Sequence, residues 1–227
     1  MEEIKVSENI LEHEETLLCI VQKYLNKNRY FTIENIIPFI NANLKKLSIN
    51  LNYQGIREIL KSLIKKKLIL ERSKLMRDEI LENENRERIF NLICKNPGIY
   101  FNRITKKLNL SNYILAWHLK MLIKFNFIRS KRIENHDVFF DINLPPDNDE
   151  IYSFILKEKS RKIIDYLLEN QEGITKTKLS KELTIHASTI SKYVDRLEIH
   201  KILLKKKLTN KTLYFINEEF YSNVGNL

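Results

Sequence analysis

The sequence predicts a mainly helical protein carrying small two-stranded β hairpins, arranged as three tandem modules. Two observations carry that prediction. The stretch from Arg86 to Asp141 recurs without a gap 75 residues later, as Arg161 to Ile216. Within each copy the apolar positions first keep helix spacing and then change to strand spacing. Internal repetition on this scale points to a series of small modules, and it overrides the one or two domains that 227 residues would otherwise suggest.

The repeat is a set of core positions. Gly98-Ile99 returns as Gly173-Ile174, and Leu108-x-Leu110 as Leu183-x-Ile185. Leu115, Leu119 and Leu122 return as Ile190, Val194 and Leu197. Phe127-Ile128 and Phe139-Phe140 return as Ile202-Leu203 and Tyr214-Phe215. In the first copy, Asn85 is placed to cap a helix bearing Ile89, Phe90, Leu92 and Ile93, which stops at Asn96-Pro97-Gly98. Ile99-Tyr100-Phe101 reads as a short extended segment, and Asn102 as the cap of a brief helix with Ile104 and Leu108. Asn109-Leu110 makes a turn and Ser111 caps a third helix. Residues 127–133 and 138–142 read as strands joined by a hairpin at Glu134-Asn135-His136-Asp137. The second copy follows suit, with a hairpin of Leu203 to Lys207, a turn at 208–211, and Thr212 to Ile216. Upstream, Ile56, Leu60 and Leu63 echo the third-helix pattern 59 residues ahead of Leu115, with Asn52 at the cap. Glu14 to Leu25 and Thr32 to Leu47, the latter containing Pro38, supply two earlier helices.

Helix, short strand, helix, turn, helix and hairpin resembles the winged helix-turn-helix of archaeal and bacterial transcriptional regulators, in the ArsR-like and MarR-like style. The resemblance rests on Asn96-Pro97-Gly98-Ile99-Tyr100-Phe101, on Trp117-His118-Leu119-Lys120-Met121-Leu122 and on Phe127-Ile128-Arg129-Ser130. The later copy carries it through Leu179, Leu183, Ile185 and Ala187 to Val194. The expected modules are 1–77, a winged helix whose wing is truncated at Asp78-Glu79-Ile80-Leu81, then 78–145 and 146–227.

In such a module the third helix enters the major groove and presents its N-terminal residues to base edges. In the third module, the face opposite the core offers Ala187, Ser188, Ser191 and Lys192, small and polar with one cation, while Asp195 falls at the margin. In the second it offers Asn112, Tyr113, Ala116, Trp117 and Lys120. Trp117 is read either as packing on sugar or a thymine methyl, or as half-buried against the wing or a partner subunit. In the first module Gln54 and Arg57 suit base or phosphate, and Glu58 is tolerated only opposite cytosine or Arg57. The run Lys65-Lys66-Lys67 could meet phosphates, although such runs are more often solvated faces. The wings are basic at aligned positions: Arg129, Lys131 and Arg132, with Asn135 and His136, against Lys205, Lys206, Lys207 and Lys211 with Asn210. Alternate residues of a strand project to one side, so these cations can line the backbone.

Charge supports a polyanionic partner without requiring one. The net +10 spreads over all three modules, with 14 basic and 9 acidic side chains in 1–77, 11 and 8 in 78–145, and 14 and 12 in 146–227. Cys19 and Cys94 lack partners at metal spacing and read as reduced core thiols. No apolar run approaches a membrane span and the start is not a signal peptide, so a cytoplasmic location is expected. The five histidines are scattered: His118 is expected to be packed and hydrogen-bonded, and His186 to be a poor helix cap. Without paired carboxylates, Cys-x-x-Cys, His-x3-His or a Gly-rich loop, no enzyme, cofactor or metal is expected. The reading is a sequence-specific regulator of double-stranded DNA, with a homodimer or another protein subunit admitted. The rival is a protein-interaction scaffold, since tandem winged helices also build ESCRT-II-type and RNA-polymerase-associated subunits; Glu58, Trp117 and Asp195 fit that rival.

Overall fold

Three helix pairs are built on one local plan. They are α2 (Ile33–Lys46) with α3 (Tyr53–Lys65), α5 (Phe101–Leu108) with α6 (Asn112–Lys124), and α9 (Lys176–Glu182) with α10 (Ala187–Ile199) in the computed structural model, which describes residues 2–219 and their side chains from residue 13. The first helix of each pair ends on a left-handed residue: Ser48 at φ 58°, Asn109 at 52° and Thr184 at 54°. The next N–H then reaches five residues back, Ile49 to the Leu44 oxygen (3.0 Å), Leu110 to Thr105 (3.2 Å) and Ile185 to Ser180 (3.2 Å). This is the Schellman closure of a helix C-terminus. A side chain caps each following helix. Asn52 accepts from Gly55 N at 2.7 Å, Ser111 from Ile114 N at 3.3 Å, and His186 Nδ1 from Ser188 N at 3.3 Å. His186 is therefore a working cap, because one neutral imidazole nitrogen can accept as a hydroxyl oxygen does.

Two other caps differ from expectation. Helix α4 (Glu84–Lys95) starts two residues early, and Asn83 rather than Asn85 caps it, accepting from Arg86 N at 3.2 Å. Helix α5 begins at Phe101 directly out of strand β1 (Ile99–Tyr100), so Asn102 already lies inside it and no side chain caps its start.

The described chain is mainly helical with small antiparallel sheets, the fold class expected. Two compact units are distinguished: residues 1–88 with 116–127, and residues 89–115 with 128–227. In the first, α1 (Glu2–Leu25), α2 and α3 enclose Leu17, Val21, Phe31, Ile36, Ile56 and Leu60. Thr32 and Asn35 close a capping box at the start of α2. Glu14 is buried among these helices, where it accepts from Ser62 Oγ (2.7 Å) and Lys66 Nζ (2.6 Å). Between α3 and α4 the described residues form no strand, only a 3-10 turn at Asp78–Ile80.

In the second unit β1, β2 (Ile128–Ile133) and β3 (His136–Asp141) form a sheet in the order β1-β3-β2. Its hairpin turns on Glu134 and Asn135, both left-handed at φ 48° and 65°, the two-residue turn whose twist suits a hairpin. Helices α7 (Asp149–Ile155) and α8 (Glu158–Glu169) follow, and α9 and α10 lead into β4 (Leu203–Lys207) and β5 (Thr212–Ile216). The copies match in backbone pairing as well as sequence: Ile99 faces Phe139, and 75 residues on Ile174 bridges to Tyr214. The repeated glycines hold φ +84° at Gly98 and +83° at Gly173. A Cβ on Gly98 would lie 2.7 Å from the Ser153 backbone nitrogen in α7, whereas one on Gly173 would fall on the Phe215 ring. Cys94 is half-buried, its thiol pushed up to about 12 by burial and by Asp141. Cys19 is exposed, against the expectation of a core thiol, because it lies off the stripe of Leu17, Ile20 and Val21.

Both glycines need φ values that an L side chain resists, at roughly 1–3 kcal/mol each. Gly98→Ala and Gly173→Ala are therefore both expected to lower stability in urea unfolding. Gly98→Ala is expected to cost more, because backbone yields less readily than a ring. Equal losses would show that the close approach of α7 is not limiting.

Candidate nucleic-acid interface

The start of α10 and the β4–β5 hairpin present an open cationic surface. Helix α10 follows the His186 cap with Ala187, Ser188 and Lys192 exposed and Ile190, Val194 and Leu197 buried, so the reading face expected from spacing is the solvent face. Ser191 is half-buried and not free. It accepts from Lys176 Nζ at 3.0 Å and donates to Asp195 at 3.1 Å, while Lys176 also pairs with Asp195 and lies 5.4 Å over the Tyr214 ring. Asp195 is held below the usual carboxylate range by its hydrogen bond from Lys176. On the hairpin, Lys206, Lys207 and Lys211 are exposed and form no salt bridge among the described residues, but Lys205 pairs with Glu198 of α10. A hollow of about 330 Å³ lies between the start of α9 and this hairpin, lined by Lys176, Lys211, Thr175 and Tyr214 among others. Lys176 was missed from sequence, yet it aligns with Phe101 of the earlier copy, so a cation replaces a phenyl ring there.

The β2–β3 hairpin commits Arg129 and Glu134 to internal ion pairs and leaves Lys131 and Arg132 exposed. Arg129 places both terminal nitrogens on Asp149, each at 2.7 Å, bonds the Leu144 oxygen at 3.0 Å and stacks 4.6 Å over Phe140. Asp149 is only 1% exposed, and Lys131 approaches it to 3.5 Å. Arg129 is thus a half-buried structural partner whose guanidinium is committed to Asp149 and Leu144. At the turn, Glu134 accepts from Lys157 and from Arg196 of α10, and those bonds, Lys157 first, hold its carboxyl down to about 2. Arg196 also lies 4.5 Å over Phe154, which stacks on Tyr193. The tip of this hairpin therefore engages α10 and the residue that precedes α8. Arg132 stays exposed, 3.4 Å from Asp137.

Helix α6 exposes Asn112, Tyr113, Trp117 and Lys120, with Tyr113 83% and Trp117 49% exposed. Trp117 meets His118 edge to face at 5.0 Å and Arg86 at 5.8 Å. His118 is buried as expected, but its Nδ1 has no hydrogen-bond partner, contrary to expectation. Burial, and then the nearby Arg86 charge, lower its pKa. In α3, Gln54 is exposed but donates to Glu58 at 3.0 Å, so the partner of Glu58 is Gln54 rather than Arg57. Arg57 is half-buried with its Nε unpartnered. In the Lys65-Lys66-Lys67 run, Lys66 is engaged by Glu14. Among the described residues no group of His, Cys, Asp and Glu could hold a metal, and no helix is long and apolar enough to cross a membrane.

Two measurements check these assignments. Arg129→Ala leaves buried Asp149 with only the longer 3.5 Å contact to Lys131, so it should cost about 3–5 kcal/mol in urea unfolding; a loss below about 1 kcal/mol would show that the pair is dispensable. His118 and His200 are both depressed, chiefly by burial, from an ordinary value of 6.5. The unfolded chain then takes up protons first on acidification, so stability is full above about pH 6.5 and is lost as pH falls below it. His118→Leu should flatten that decline, and an unchanged pH profile would remove His118 as a cause.

No family model matches the chain. It is 32% identical over 155 residues to an uncharacterized HTH-type transcriptional regulator of Methanocaldococcus jannaschii, a match covering 67% of this chain. The chain spans 39% of that relative's length. Among solved structures, it aligns with FabT of Streptococcus pneumoniae, crystallised in complex with DNA, at 14% identity and TM-score 0.26, over 66% of this chain and all of that one. A chain of the ESCRT-II endosomal trafficking complex aligns at 15% identity and TM-score 0.25, over 95% of this chain and 93% of that one. Scores of that size establish no common fold, and the sequence match to the archaeal regulator is the informative likeness.

Proposed function

We propose that the chain is a sequence-specific regulator that binds double-stranded DNA through tandem winged helix-turn-helix modules, spanning 1–77, 78–145 and 146–227. The observation that carries the reading is the third module's surface. There the exposed start of α10, with Ser188 and Lys192, accompanies a hairpin whose Lys206, Lys207 and Lys211 form no ion pair among the described residues. Small hydroxylated residues at a helix start allow close approach to base edges, and lysines on a hairpin neutralise phosphate. The likeness to the archaeal HTH-type regulator supports the same reading. In it, Ser188 and Lys192 read or position the duplex. Ser191 supports them from within its network with Lys176 and Asp195, and Lys205 stands in reserve behind Glu198.

The second and first modules contribute less backbone grip. Asn112, Tyr113 and Lys120 of α6 and Gln54 of α3 remain the groups that would face a groove, while Arg132 and Lys131 supply charge. The exposure of Tyr113 and Trp117 favours a second reading for α6 alone, as a contact for another protein subunit or a second copy of this chain. No catalytic role is proposed.

Fluorescence anisotropy with mixed-sequence duplex DNA at two salt concentrations tests the reading. Wild type should bind with steep salt dependence. Replacing Lys206, Lys207 and Lys211 by Ala should flatten the slope of log affinity against log salt by roughly 2.7, at about 0.9 per phosphate contact. An absence of salt-sensitive binding at micromolar protein would sink the regulator reading in favour of a protein scaffold.

A further inference from the structure

Four charged side chains sit at the middle of the third module's surface, and they cancel in pairs. Asp195 and Glu198 stand on consecutive turns of α10, just past Ser191 and Lys192. Asp195 takes the ammonium of Lys176, which reaches it from the start of α9 and also bonds Ser191 at 3.0 Å. Glu198 takes the ammonium of Lys205 on β4. The pairs are partly open to water: the side chains of Asp195 and Lys205 are 53% and 44% exposed, and those of Lys176 and Glu198 28% and 25%. Exposed pairs of this kind contribute little to stability, so the fold does not depend on them.

We infer that Asp195 and Glu198 are specificity-determining residues, each occupying with its carboxylate a lysine that would otherwise bind a backbone phosphate. The inference rests on the DNA-binding reading of the third module. Sequence-independent affinity comes almost wholly from neutralised phosphates, whereas specific affinity adds contacts to base edges. Two lysines withheld from phosphate therefore weaken binding to any duplex, and the base contacts of α10 supply a larger share of what remains. The hairpin lysines 206, 207 and 211 keep a basal grip, so the module still associates with DNA while it searches.

The test uses the full chain carrying Asp195→Asn and Glu198→Gln, with anisotropy on a mixed-sequence duplex at several salt concentrations between about 50 and 200 mM. The expected result is tighter binding at low salt, several-fold per released lysine, and a salt slope steeper by up to roughly 1.8, at 0.9 per new phosphate contact. Adding Lys176→Gln and Lys205→Gln to that variant should return the slope to the wild-type value, which a purely structural effect of the two carboxylates would not do. If wild type binds with salt dependence and the double variant has the same slope and affinity, the inference is overturned while the DNA-binding reading stands. If wild type shows no salt-sensitive binding, both fall.

Discussion

An α-helix ends with carbonyls that have no partner in the helix, and a chain that reverses sharply must satisfy them within a residue or two. Here each closure is made by one residue entering the left-handed region, which turns the following N–H back onto the last turn. Ser48, Asn109 and Thr184 do this before the second helix of each pair, and Lys67, Asn126 and Lys201 after it. None is glycine, so each bears a Cβ penalty of about 1–2 kcal/mol that local hydrogen bonds and the partly or fully buried apolar residue beyond must offset. Ser48, Asn109 and Thr184 reverse the chain between the paired helices, and Lys67, Asn126 and Lys201 release it from the second one.

The distribution of charge on that frame is more selective than a net +10 suggests. Lys66 is spent on buried Glu14, Arg129 on buried Asp149, Arg196 and Lys157 on Glu134, and Lys176 and Lys205 on the acids of α10. Lys206, Lys207 and Lys211 on the last hairpin remain outward without an ion pair among the described residues, as do Lys120 and Lys192 on the helices. Composition alone counts these cations as equals, and only the partner of each separates a structural lysine from one available to a polyanion.

The elements of the fold were legible because they rest on local rules: periodic apolar residues, caps, and two hairpins with recognisable turns. The exact caps were less so. Asn83 and Asn85 are equally good candidates by type, and only the first helical residue decides between them. The aligned wings looked alike in sequence, yet the second is internal and the third external. That difference hangs on Asp149, which stands between Asp147 and Glu150 with nothing in the sequence to mark its burial, and on Glu134, which reads as an ordinary turn residue. Their partners lie 20, 23 and 62 residues away, a range at which periodicity and propensity carry no information.

The close approach of α7 to Gly98 bears on where the chain can be divided. Residues 146–157 look like a connector between repeats, but their backbone fills the space that the glycine vacates, their Asp149 completes the salt bridge at the base of the second hairpin, and their Lys157 holds its tip. The repeat unit visible in the sequence and the unit that folds are therefore offset at this point: residues 146–157, which follow the first copy, belong to it as much as to the copy that follows. A cut placed between the repeats at residue 145 would therefore remove Asp149 and Lys157 from the hairpin they hold.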